Sequence, residues 1–338
     1  MMNYDEWLIM NIKNLIRNLW VVKDVLRVSL NETYLTLFRN REFSALYIES
    51  RMLVVAHSLE KGLSMREIKN GFGVKKANNL YYYIKKYMKY NPESCAFCLI
   101  ESLGILKAYQ TYQKNISFDL GDLNDSIDIL FQNLSEKQKE KLADYRYGIE
   151  NLRQGFFLKG KSNFYEIFIK SRRSARNYSD EPISEITIKK VIELANLSPT
   201  ACNRQPTKVY VALGEENARK VGELLGNKAF TQYAKNFAII TCDRAYFAGD
   251  EHYQWYINGG IYLMSFVNSL HSYGIGSCIM QWFAFDKNEK KLKRLLGIKK
   301  SEAIIASVSL GYYPEELTCI CAQRKSADET LYLYKHKS

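Results

Sequence analysis

Two short stretches of the chain carry residue types that could hold a ligand. The first is Ser171-Arg172-Arg173-Ser174-Ala175-Arg176-Asn177-Tyr178, with three arginines inside five positions. Guanidinium groups grip phosphate oxygens in fork geometry and stay charged at any working pH. Arginines that follow a helix also complement its dipole. Taken alone, the cluster therefore fits a phosphate clamp and a solvated basic helix end equally. The second stretch is Ser198-Pro199-Thr200-Ala201-Cys202-Asn203-Arg204-Gln205-Pro206. Pro199, Thr200 and Ala201 turn the chain. Asn203 and Gln205 offer amide donors and acceptors, which suit a flat ring with both carbonyl and N–H edges.

A phosphate grip followed by an imide-reading loop describes a site for flavin mononucleotide. No GxGxxG follows a strand, and no GxxxxGK[ST] occurs, so the common dinucleotide and P-loop modes find no support. Gly274-x-Gly276 stands at a helix end rather than a helix start. No Ser/His/Asp set, no pair of carboxylates and no metal site emerges. Cys95-x-x-Cys98 lacks a second CxxC and falls in an apolar helical run, Cys95 to Leu106; two buried thiols on one helix are the preferred reading.

The elements around these stretches follow from periodicity. Residues 6–28 read as a basic amphipathic helix, which packs on its own protein in preference to a membrane. Helices are expected over 42–60, 76–89, 92–112 (with Pro92 in the first turn), 119–132 and 135–147, where Ser135 serves as N-cap. Gly62 reads as a left-handed helix stop. His57 and Lys61, one turn apart, either sit in a helix connection with His57 a satisfied core residue or face a ligand; the first is preferred. From residue 163 the pattern changes. Helices are expected over 164–171, 184–196 (N-cap Ser184), 215–225, 255–270 and 287–296, and strands over 207–213, 237–242, after Gly274 and over 303–310. The boundary falls between Gly148 and Ser162. This gives a helical domain over 1–155, of unknown role, and an α+β domain over 160–338, a mixed sheet flanked by helices.

Composition limits the choices further. The chain has 338 residues, 47% of them apolar, enough for a sizeable core. The formal charge of +12 is spread along the sequence with no basic tail, so an anionic cofactor explains it as well as a nucleic acid would, and no nucleic acid is expected. The seven cysteines are an odd number in a long chain, which argues against a disulfide framework. Asp5 and Glu6 precede only a short apolar run, and no stretch approaches membrane length. A cytoplasmic protein is expected, with no membrane surface as partner.

Residues 163–338 resemble the nitroreductase family of flavin enzymes. The matching pieces, in the family's order, are Arg172–Tyr178 with Pro182, Leu197–Pro206, Gly259-Gly260, Gly274–Cys278, and Leu310-Gly311-Tyr312-Tyr313-Pro314 with Arg324-Lys325 beyond. The first 150 residues fall outside the basic pattern; they resemble the N-terminal extension of a subset of such proteins, some linked with polysaccharide gene clusters. The resemblance implies an obligate homodimer with FMN at the interface. Arg172, Arg173, Ser174 and Arg176 would bind phosphate, ribityl chain and pyrimidine edge, and Arg324 and Lys325 would complete the phosphate site. Pro199, Thr200, Ala201, Asn203 and Gln205 would reach the flavin from the other subunit. Gln281 would lie near the ring's reactive nitrogen, and segment 227–233 would approach the ring. The implied chemistry is ping-pong hydride transfer from NADH or NADPH to a small electron-poor substrate, a nitro compound or quinone, with no catalytic side chain required. Two alternatives stay open: a flavin-dependent dehydrogenase or reductase on a specialised, polysaccharide-pathway intermediate, and a non-catalytic binding protein of the same fold.

Overall fold

The computed structural model describes residues 26, 29–30, 45–65, 68–144, 147–149, 163–225, 231, 234–247, 251, 253–280, 282, 286–317, 319 and 324–334. The helix expected over 6–28 lies outside them apart from Leu26. Residues 150–162, where the domain boundary is expected, and segment 227–233 apart from Thr231, lie outside them too.

The N-terminal half is helical. It comprises α1 (Ala45–Leu63), α2 (Val74–Tyr90), α3 (Phe97–Asn115), α4 (Asp122–Gln132) and α5 (Glu136–Ala143). Apolar residues at helical spacing close one core: Met52, Ala56 and Leu59 from α1, Leu80 and Ile84 from α2, Leu99, Leu103 and Leu106 from α3, and Ile127 from α4. Each of the leucine, isoleucine and methionine side chains contributes about 1.5–3 kcal/mol on burial. Ser135 caps α5 as expected, in a reciprocal capping box with Gln138.

Three local expectations differ. Gly62 lies inside α1 rather than at a left-handed stop. Its missing Cβ makes room for the Phe72 ring, whose Cε2 would stand 2.3 Å from a Cβ there. Pro92 is not in the first turn of α3, which begins at Phe97. Gln138 Nε2 donates to the carbonyls of Pro92 and Ser94, at 2.9 Å each, and holds 92–96 out of the helix. Cys95 therefore precedes α3 and is half-buried, while Cys98 is buried within it.

The C-terminal half is built on four strands: β1 (Thr207–Leu213), β2 (Asn236–Asp243), β3 (Ile275–Met280) and β4 (Glu302–Tyr312). They pair in the order β1-β2-β4-β3, every neighbour antiparallel. The α+β architecture is as expected; among the described residues, parallel pairing enters only as an isolated bridge between Ser174 and Ser277. Strand alternation sends Ala238 and Ile240 of β2 to one face, against α7 (Glu185–Ala195) and α9 (Gln254–Ser272). Phe237 and Ile239 point to the other face, against α8 (Glu215–Leu225) and α10 (Asp286–Leu296). With both faces covered, β2 is buried along its whole length. Ser184 caps α7, its hydroxyl accepting from Thr187 N at 3.1 Å. The remaining helix, α6 (Phe164–Ser171), precedes the arginines and buries none of its side chains. No helix of the described residues is long and apolar enough to cross a membrane.

Candidate functional site

The arginine segment leaves α6 at Arg172, whose backbone is extended (φ −63°, ψ 129°). It then runs beside β3, with Ala175 N donating to Ser277 O at 3.0 Å. Extended backbone alternates, so Ala175 turns inward and is fully buried, while Ser174 and Arg176 turn out. Gly276 permits this approach: a Cβ there would stand 2.9 Å from the Ala175 Cβ. Tyr178 fastens the far end, its hydroxyl donating to Ala175 O at 2.8 Å and lying 2.7 Å from Ser309 Oγ.

Two of the guanidiniums donate to nearby backbone carbonyls. Arg173 donates to the carbonyls of Lys170 and Arg172, and Arg176 to that of Ser174 at 3.4 Å. The Arg172 guanidinium makes no hydrogen bond or ion pair among the described residues. Its field reaches His271: burial first and Arg172 second push that imidazole below its ordinary value. The His271 nitrogens lie 2.9 Å from Ser171 Oγ and 3.1 Å from Tyr313 OH. The segment thus gathers three guanidiniums within five residues, a set of donors suited to a phosphate.

The amide loop is built differently. Cys202, Asn203 and Gln205 all have left-handed backbone, with φ of 52°, 52° and 48°. Each such non-glycine residue costs about 1 kcal/mol or more, so the surroundings must hold it. Asn258 of α9 accepts from Ala201 N at 2.8 Å. Arg204, 2% exposed, donates to Ala201 O at 3.0 Å, to Tyr246 O at 2.7 Å and through both terminal nitrogens to Glu251 at 2.7 and 2.6 Å. Its guanidinium also lies 4.6 Å from the centre of the Phe247 ring. Thr200 Oγ1 accepts from Gln205 N at 3.2 Å, and Gln205 Nε2 donates to Asn203 Oδ1 at 3.0 Å. Downstream, β1 is fastened by Glu302, fully buried on β4. Lys208, Tyr210 and Thr241 donate to it at 2.8–2.9 Å. Burial would raise that carboxyl, but these three donors hold it below the usual range.

The helical half completes the loop. Asn203 Nδ2 donates to Glu101 Oε1 of α3 at 3.3 Å. Beside it, Ser50 Oγ of α1 donates to Tyr246 O at 2.8 Å, and Tyr246 OH donates to Glu49 at 3.3 Å. His57 pairs with Glu60 at 3.3 Å on the same helix.

Within one chain the two stretches do not meet. The amide loop binds α9 at Asn258, and the arginine segment binds it at His271. Thirteen residues of helix at about 1.5 Å each separate them, roughly 20 Å.

The profile of the nitroreductase family matches residues 169–256 and 227–312, spanning both stretches. A protein of Archaeoglobus fulgidus whose name carries the words NADH dehydrogenase/NAD(P)H nitroreductase is 31% identical over 150 residues, 44% of this chain and 84% of that protein. The chain belongs to the nitroreductase family. A Bacillus subtilis FMN reductase [NAD(P)H] is 30% identical over 71 residues, 21% of this chain and 28% of that protein. A nitroreductase from Desulfovibrio desulfuricans, solved in complex with FMN, aligns with a TM-score of 0.45 at 17% identity, over 52% of this chain and all of that one.

Of the residues singled out in the sequence, Arg172, Arg173, Ser174 and Arg176 share one segment, and Pro199, Thr200, Ala201, Asn203 and Gln205 share one loop. Arg324 and Lys325 are exposed at the start of the tail segment 324–334. Gln281 lies outside the described residues. The sequence reading missed Arg204, Asn258, Glu101 and Tyr246, which hold the loop rather than line it. Asn258 was findable, as an amide directly before Gly259-Gly260 in a largely apolar helix.

Proposed function

We propose that this nitroreductase-family chain is an FMN-dependent oxidoreductase that works as a homodimer. The observation that carries the reading is the Arg172–Arg176 cluster running beside β3, paired with an amide loop anchored at the other end of α9. In this reading Arg172, Arg173, Ser174 and Arg176 hold the phosphate, ribityl chain and pyrimidine edge, joined at the phosphate by Arg324 and Lys325. Pro199, Thr200, Ala201, Asn203 and Gln205 reach the same ring from a second copy. The two stretches are anchored roughly 20 Å apart along α9 in one chain, which favours a second copy as the source of the loop.

Exposed apolar side chains support the second copy. Ile257, Ile261 and Met264 form an outer stripe on α9, and Gly260 between them has nothing within 4 Å. The tail adds Leu331, Tyr332, Leu333 and Tyr334, all exposed. Apolar surface of this extent marks an association face.

The chemistry supplied by bound FMN is two-electron transfer from NADH or NADPH to an electron-poor acceptor such as a nitro compound or quinone, in two half-reactions at one site. The chain's own residues bind and orient. Arginines at the pyrimidine end stabilise the negative charge that accumulates there on reduction. The loop, held by Asn258, Arg204 and Thr200, would orient the flavin toward donor and acceptor. The grip of α1 and α3 on that loop favours an acceptor site shaped in part by the helical half.

The test is the visible spectrum of the purified protein. A flavin band that disappears on anaerobic addition of NADPH or NADH and returns with a quinone is the expected result. Absence of flavin with no uptake on adding FMN would overturn the proposal.

A further inference from the structure

The helical half lies outside the part of the chain that matches the nitroreductase profile, yet it reaches the amide loop with a carboxylate. Glu101 of α3 and Asn203 are separated by 102 residues and joined by one hydrogen bond of 3.3 Å. Asn203 in turn holds Gln205. Both loop residues have left-handed backbone, a conformation that persists only where several contacts impose it. Asn258, Arg204 and Thr200 grip the backbone and core of the loop from the nitroreductase-family half. The Asn203 amide is bonded on its oxygen by Gln205 of the same loop and on its nitrogen by Glu101 of the helical half.

We propose that Glu101 is a positioning residue of the flavin site, which orients Asn203 and Gln205 and lets the helical half set how tightly the loop engages the ring. The inference rests on the flavin reading above. Ionised Glu101 accepts a charge-assisted bond from Asn203, roughly twice as strong as a neutral one. Its surroundings keep ionisation within reach of working pH. Burial first, and the charge of neighbouring Glu60 on α1 second, push Glu101 up to about 6, against the opposing pull of Asn203. Glu60 is itself bonded to His57, so α1 presents a carboxylate and an imidazole on this side, and the loop presents the Asn203 amide. Above pH 6 the Glu101 carboxylate grips Asn203; below it the neutral carboxyl grips less.

The sign for stability is opposite. A carboxyl whose folded value is raised binds its proton more tightly in the folded chain than in the unfolded one. It therefore costs stability as pH rises through the window from about 4.5 to about 6. Glu101→Gln should leave the melting temperature at pH 7 unchanged or raise it. A residue kept only to hold the fold together would lower it.

The experiment titrates FMN into the flavin-free full-length protein and its Glu101→Gln variant at pH 5 and pH 8. The phosphate of FMN titrates near 6 as well, but that is common to both proteins and cancels in the ratio of their Kd values. The expected ratio, variant over wild type, is about ten at pH 8, the worth of a charged over a neutral bond, and close to one at pH 5. In an Asn203→Ala background the same ratio should be near one at both pH values, because Glu101 acts through Asn203. A ratio that does not change with pH, or that survives Asn203→Ala, overturns this inference and leaves the flavin reading standing. Failure of wild type to bind FMN at either pH takes down both.

Discussion

The two stretches proposed to make one site are opposites in construction. The arginine segment is extended and only partly buried; its contribution is charge. The amide loop is compact and over-determined, with three left-handed residues held by Asn258, Arg204, Thr200 and Glu101; its contribution is shape. Charge works wherever a phosphate can approach, and needs little support. Shape needs a scaffold, and here the scaffold draws on both halves of the chain.

That contrast can be broken or sharpened by substitution. The largest effect is expected from Arg204→Ala. Removing the buried guanidinium breaks its bonds to Ala201 O, Tyr246 O and the partly exposed Glu251 and costs about 2–3 kcal/mol, read as a lower urea midpoint with unfolding slope unchanged. Arg172→Ala should do the reverse, leaving the midpoint within about 0.5 kcal/mol. It should weaken FMN binding by ten- to a hundredfold, since a bond to a charged group is worth about 1.5–3 kcal/mol. Equal losses of stability from both substitutions would erase the distinction.

A smaller, pH-dependent effect is expected where the loop runs into β1. Glu302 has a folded value held below its unfolded one, so its stabilisation is present above the unfolded carboxylate value of about 4.3. It is lost as pH falls through the folded value. Unfolding free energy measured across the acid range should fall less steeply in Glu302→Gln than in wild type; identical slopes would show that Glu302 does not carry the acid lability. The smallest effect is Ser184→Ala, which removes the α7 cap for about 1 kcal/mol and should leave FMN affinity unchanged.

The same contrast explains what could be read from the chain alone. Charge and periodicity are local properties, so the Arg172–Arg176 cluster, the Ser135 and Ser184 caps, the buried β2 run and α9 were all legible. Support for shape is non-local. Glu101 is an ordinary acidic residue on a helix until α3 is packed beside the loop. Tyr246 is one of 25 tyrosines, and nothing nearby marks it as the point where Ser50, Glu49 and Arg204 converge. Gly62 and Pro92 were misread for a related reason. Each has a strong local preference, for a helix stop and for a first turn, and each was overruled by a distant partner: the Phe72 ring and the Gln138 amide.

The central claim is that one flavin site takes its arginines from one chain and its amide loop from another. The direct measurement is FMN stoichiometry in a heterodimer that joins an Arg172→Ala chain to a chain carrying Asn203→Ala and Gln205→Ala. If the halves come from different chains, one of the two sites receives both intact parts. The heterodimer should then bind one FMN with wild-type affinity, although neither homodimer does. If each chain builds its own site, every site in the heterodimer is damaged, and the absence of any wild-type FMN site would contradict the account.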